Sequence, residues 1–84
     1  MRIDKFLKIS RLIKRRTVAK EACEKERIFL NSKPAKPGAE VKPGDIIRIQ
    51  FGNNTIAVRV ILLKESVRKE EAASLYEIIE ETNE

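Results

Sequence analysis

The stretch RRTVAKEACEKERIFLNS, residues 15–32, contains the change of period on which the fold turns. Ala19, Ala22 and Cys23 recur at the three- and four-residue spacing of one helical face, which predicts a helix opened by Lys14-Arg15-Arg16-Thr17 and ending near Glu26. From Ile28 the residues turn β-branched and aromatic, and Ile28–Leu30 reads as a short strand closed by Asn31-Ser32. Toward the amino end, Ile3, Phe6, Leu7 and Ser10 share one helical face, so a first helix is expected near residues 3–10. Arg2, Lys5 and Lys8 form a basic stripe on its other side. Toward the carboxyl end, Lys33 to Gly38 is an extended connection whose prolines can add little to a central strand. Pro43-Gly44-Asp45 is a turn. Ile46–Phe51 and Thr55–Leu63 read as a hairpin around Gly52-Asn53-Asn54. Ala72, Leu75, Tyr76 and Ile79 fall at helical spacing and predict a short C-terminal helix. The expected fold class is α+β: two N-terminal helices packed on a small antiparallel sheet.

Eighty-four residues allow one small core and no cleft between domains. The chain has no His, no Trp and one Cys, which removes the atoms needed for a disulfide framework, a His or Cys metal cage, or His-based catalysis. No cofactor is implied. Cys23, among Ala19 and Ala22, reads as a small buried hydrophobe with a reduced thiol. Phe6, Phe29, Phe51 and Tyr76 are assigned to core duty rather than base stacking. Residues 1–20 lack the continuous apolar run of a secretory signal, and the longest apolar run, Val60–Leu63, is far short of the roughly 20 residues of a membrane span. A soluble, cytoplasmic protein without membrane contact is expected.

The formal net charge of +5 is unevenly spread. Residues 1–20 carry eight basic side chains against Asp4 alone, whereas residues 65–84 carry two basic and seven acidic ones. Such an asymmetry is the electrostatic footprint of a polyanion partner at one end and an acidic extension at the other. Two segments follow: an RNA-binding domain over residues 1–64 and an acidic C-terminal extension over residues 65–84. The candidate RNA-binding residues are Arg2, Asp4, Lys5, Lys8, Arg11, Lys14, Arg15, Arg16, Thr17 and Lys20. Asp4 has a plain reading, a carboxylate in the first helical turn that favours the helix dipole and pairs with a nearby Arg or Lys, and a sharper one, in which it orients Arg16 across the helix pair or accepts a hydrogen bond from a base or a ribose 2′-OH; the sequence leaves them open. Lys33, Lys36 and Lys42 form a second, weaker basic cluster.

The residues also spell a resemblance. Met1-Arg2-Ile3-Asp4-Lys5-Phe6-Leu7, Arg15-Arg16-Thr17-Val18-Ala19, Arg27-Ile28-Phe29-Leu30-Asn31, Ala35-Lys36-Pro37 and Val41-Lys42-Pro43-Gly44-Asp45 resemble, in order and spacing, the RNA-binding domain family named after ribosomal small-subunit protein four. That resemblance spans residues 1 to about 51. With Ile9-Ser10-Arg11-Leu12-Ile13-Lys14 and Lys69-Glu70-Glu71-Ala72-Ala73, the whole chain is similar to the stand-alone bacterial RqcP (YabO) family, a relative of the fifteen-kilodalton heat-shock protein. The resemblance implies a non-catalytic factor that binds the large ribosomal subunit still carrying peptidyl-tRNA after a stall. It further implies contact with 23S rRNA and the P-site tRNA, support of an RqcH-type tailing factor, and a monomer when free. A general structured-RNA binder or ribosome-assembly factor is the alternative. The same module is attached to pseudouridine synthases and tyrosyl-tRNA synthetases, whose catalytic domains have no counterpart here. The chain departs from the family at Glu26 and Ser32, where glycine is usual, so either a non-glycine residue takes positive φ or the turns differ.

Overall fold

A computed structural model describes residues 1–82. Two helices lead, α1 at Ile3–Ile9 and α2 at Arg16–Glu24, followed by strands β1 (Ile28–Leu30), β2 (Lys33–Pro34), β3 (Ile46–Phe51) and β4 (Asn54–Val60). A 3-10 helix over Lys69–Leu75 then feeds β5 (Tyr76–Thr82). The five strands form one sheet in the order β2-β1-β3-β4-β5, with every neighbouring pair antiparallel. This is the α+β arrangement that the change of period predicts.

The two helices cover one face of the sheet. Ile3, Phe6 and Leu7 of α1 and Ala19 and Cys23 of α2 meet Ile28, Ile47, Ile49, Val58 and Val60, all buried. Burying such side chains contributes about 1.5–3 kcal/mol each for the larger ones. Ser10, at the end of α1, is also buried and donates its hydroxyl to the Leu7 carbonyl at 3.2 Å, which removes the cost of burying it.

The turns show how the chain manages without glycine. The end of α2 is a Schellman motif: the Glu26 N–H donates to the Cys23 carbonyl and the Arg27 N–H to the Ala22 carbonyl, with Glu26 at φ 57°. Asn31 and Ser32, at φ 51° and 72°, make a two-residue turn of type I′ between β1 and β2. Both departures from glycine are therefore met by positive φ on a non-glycine residue. The Asn31 side chain compensates at its own position, since its amide donates to Asp45 Oδ1 at 3.1 Å and its carbonyl accepts the Ile46 N–H at 2.9 Å. Gly52 alone has positive φ in the β3–β4 loop, the pattern of a type II′ turn.

Three expectations need correction. The strand expected over Thr55–Leu63 ends at Val60, because the Ile61 and Leu62 N–H groups both turn to the Leu75 carbonyl, at 2.8 and 3.4 Å. The predicted C-terminal helix is a 3-10 turn that ends at Leu75, and Tyr76 begins a strand instead. Ala72 and Leu75 are buried, so their spacing belongs to the turn, while the Ile78-Ile79 pair that spoils a helical face is a β-bulge opposite Ala57 and Val58. Phe51 and Phe29 are not in the core: Phe51 closes β3 at the hairpin end and is 46% exposed, and Phe29, half-buried, is the cross-strand neighbour of Arg48 on the outer face of the sheet. Residues 83 and 84 of the expected acidic extension lie outside the described residues.

The sheet face turned away from the helices is bridged by charge. Arg48, Ala57 and Glu80 are neighbours across β3, β4 and β5. Arg48 Nη1 reaches Glu80 Oε1 at 3.4 Å, over the small Ala57, which is thereby buried. Arg59 pairs with Glu77 in the same way at 3.4 Å.

Candidate nucleic-acid interface

The amino ends of α1 and α2 lie side by side, and one carboxylate sits between them. Asp4, in the first turn of α1, has a side chain only 3% exposed. Its Oδ2 accepts from Arg2 Nη2 at 3.1 Å and its Oδ1 from Arg16 Nη2 at 3.4 Å. Both arginines keep about half of their side-chain surface in solvent, at 51% and 46%. A guanidinium offers five N–H donors in a fixed plane, so one bond to Asp4 orients each fork and leaves donors free for an incoming phosphate. The Arg16 bond matches the orienting reading of Asp4, and the Arg2 bond matches the plain one, a pairing with a nearby cation.

The remaining candidates spread from this point. Arg15 is the residue before α2, and Thr17 and Lys20 are exposed on α2, with Lys20 one turn beyond Arg16. Lys5 is held by a hydrogen bond to the carboxylate of Glu65, and that bond holds the Glu65 carboxyl below the usual carboxylate range. Lys8, Arg11 and Lys14 gather around a small cavity at the far end of α1, whose other wall is Glu65, Ser66 and Val67. Thus Arg2, Asp4 and Arg16 form one cluster and Lys8, Arg11 and Lys14 a second. Lys33 and Lys36 lie on the β2 side of the fold, and Lys42 near the Pro43 turn, all three exposed. Sequence reading missed Glu65 and Ser66, whose place beside α1 depends on the path of the chain after β4.

Cys23 is buried against this helix pair. Burial pushes its thiol up to about 11, helped by the negative charges of Asp4 and Glu24. Among the described residues no group of His, Cys, Asp and Glu could hold a metal ion. No helix of the described residues is long and apolar enough to cross a membrane.

The S4 domain model matches residues 1–47, the part of the chain that carries both helices, β1, β2 and the Asp4 cluster. The chain belongs to the S4 domain family. Within it, the chain belongs with the proteins named RQC P-site tRNA stabilizing factor. It is 57% identical to the one from Halalkalibacterium halodurans over 96% of this chain and 92% of the relative. It is 52% identical to the one from Bacillus subtilis over 96% and 94%. A heat shock protein 15 homologue from Aeromonas salmonicida is 33% identical over 98% of this chain and 61% of its own length. Among solved structures, heat shock protein 15 from Vibrio cholerae superimposes with a TM-score of 0.88 at 28% identity, covering 94% of this chain and 81% of that one. The structural likeness extends past the S4 match to β3, β4 and β5.

Proposed function

We propose that this S4-domain protein is a non-catalytic RNA-binding factor of bacterial ribosome-associated quality control. It binds the obstructed large ribosomal subunit in the cytoplasm, through 23S rRNA and the P-site peptidyl-tRNA. In doing so it supports C-terminal tailing of the stalled chain by an RqcH-type factor. The observation that carries this reading is the Asp4-held pair Arg2 and Arg16, two half-exposed guanidiniums fixed at the head of a surface rich in Lys and Arg. The names of the close relatives supply the P-site tRNA and the quality-control setting. The RNA-binding surface falls within residues 1–64, while the acidic segment after it completes the sheet. The free protein is a monomer.

The chemistry asked of such a factor is grip. Phosphate contacts from Lys and Arg release counterions and supply affinity without base readout, which suits a protein that must hold an RNA shape. Planar guanidiniums kept in register by a buried carboxylate lose less freedom on binding than free arginines do, so more of each contact shows as affinity.

Sedimentation tests the reading. Large subunits carrying P-site peptidyl-tRNA should bring the protein down, vacant subunits should do so far less, and Arg16→Ala should pellet less than the parent. Equal pelleting with any RNA would favour a general structured-RNA binder.

A further inference from the structure

The chain leaves β4 at Val60 and crosses beside the end of α1 before it returns as β5. Leu62, Leu63 and Val67 pack against the core, so the strap between them, Lys64 to Ser66, is pinned at both ends. The strap lies outside the residues matched by the S4 domain model.

Two consequences follow for the basic surface. Glu65 accepts a hydrogen bond from Lys5 Nζ, sixty residues away in sequence. Glu65, Ser66 and Val67 also wall a cavity of about 100 Å³ against Lys8, Ile9, Arg11 and Lys14. None of the ion pairs among the described residues involves Lys8, Arg11 or Lys14. The end of a helix would ordinarily repel an anion through its carbonyls, but those of Phe6, Leu7 and Lys8 are already taken. They accept from the N–H groups of Ser10 at 2.9 Å, Ile13 at 3.1 Å and Arg11 at 3.1 Å. What faces the cavity is therefore three unpaired cations, the Ser66 hydroxyl region and one carboxylate that is itself bonded to a fourth cation.

We propose that this cavity receives one phosphate of an RNA backbone, and that Glu65 stands in for an RNA phosphate on Lys5 until RNA displaces it. The strap then sets the threshold for binding: it neutralises a cation in the free protein and returns it to a ligand that brings enough negative charge. A site of this kind disfavours lone or weakly placed phosphates and is overcome by an RNA that also engages Arg2 and Arg16. The proposal rests on the RNA-binding function above and adds to it a phosphate site and a residue that tunes it.

The test is anisotropy of fluorescently labelled tRNA at a series of salt concentrations. Glu65 is exposed, so Glu65→Gln folds as the parent does. At low salt it should bind about three- to tenfold more tightly, with a log–log salt slope steeper by about 0.7 to 0.9, the increment for one more neutralised phosphate. Glu70→Gln removes the same charge outside the cavity and should have a much smaller effect. In a Lys5→Met background the gain from Glu65→Gln should shrink, since only the repulsion inside the cavity is then relieved. Arg11→Gln should weaken binding several-fold and flatten the slope by a similar increment. A Glu65→Gln protein that binds no more tightly than Glu70→Gln, or an Arg11→Gln protein with unchanged affinity and slope, overturns the proposal. If the parent binds tRNA normally and these arms are flat, the cavity reading alone falls. If the parent does not bind at all, the function proposed above falls and takes this inference with it.

Discussion

Arg16, the first residue of α2, donates to Asp4, in the first turn of α1, at 3.4 Å, so the two helices are tied at their amino ends by a buried carboxylate. Arg16→Ala should weaken binding to large subunits or structured RNA by about 1–3 kcal/mol, the range of a good charge-assisted contact. Arg2 remains on Asp4 in that variant, so no unpaired buried charge is left and thermal unfolding should change little. Lys33→Ala, which removes an exposed charge on β2, outside the helix pair, should cost less. Similar losses for the two variants would place the RNA on a different face.

Asp4→Asn removes the acceptor charge from both guanidiniums at once. It should lower stability by about 1–3 kcal/mol, because the amide cannot accept equally from two arginines in a site closed to water. Binding should also weaken, although the change raises the net charge by one. A double-mutant cycle between Arg2→Ala and Arg16→Ala should show a coupling of at least about 0.5 kcal/mol. Strict additivity would mean that the shared carboxylate does not link them.

Affinity for structured RNA should fall steeply with salt. If about three to six phosphates are neutralised by the helix pair, the slope of log affinity against log salt lies near −2 to −5. A titration in potassium chloride measures it, and a slope near zero would remove the electrostatic basis of the interface.

Leu75 is fully buried just before β5, so Leu75→Ala should destabilise the protein by about 2–5 kcal/mol in chemical denaturation. A loss below about 1 kcal/mol would mean that the segment after β4 is not part of the folded core.

Cys23 should be inert. With its thiol raised from 9.0 to about 11, it holds on the order of a hundredfold less thiolate at neutral pH than an unperturbed cysteine. The sign follows from the raised value: the neutral thiol belongs to the folded state, so any stability it lends is complete below pH 9 and lost as pH rises toward 11. Alkylation by iodoacetamide at pH 8 should be slow in buffer and fast in guanidinium chloride. Equal rates would place the thiol at the surface.

Much of this was legible in the residues because the periods are clean. Ile3, Phe6 and Leu7 in α1 and the alternation of Ile47 and Ile49 in β3 each bury one face, so spacing and burial coincide. β5 was not legible. Its Ile78-Ile79 bulge breaks the two-residue alternation, and Ala72, Leu75 and Tyr76 imitate a helix because a 3-10 turn also brings residues three apart onto one side. The basic residues of the candidate interface could be named from charge alone, but their grouping could not. Which cations share Asp4 and which surround the cavity depends on the crossing of α1 with α2 and with the strap after β4. Those are distances of twelve and sixty residues along the chain, beyond the reach of any local pattern.

The cross-strand bonds Arg48–Glu80 and Arg59–Glu77 have a kinetic side. They cancel the cations of the sheet's outer face, while the helix face keeps Lys8, Arg11, Lys14, Arg15 and Lys20 uncancelled among the described residues. The molecule consequently carries an electrical direction. Far from a polyanion, beyond contact range, that direction turns the helix face forward, and a collision through the sheet gains nothing and separates. The protein therefore arrives already oriented, and reversing Glu77 and Glu80 to lysine would lower the share of encounters that are productive by giving the wrong face a claim of its own.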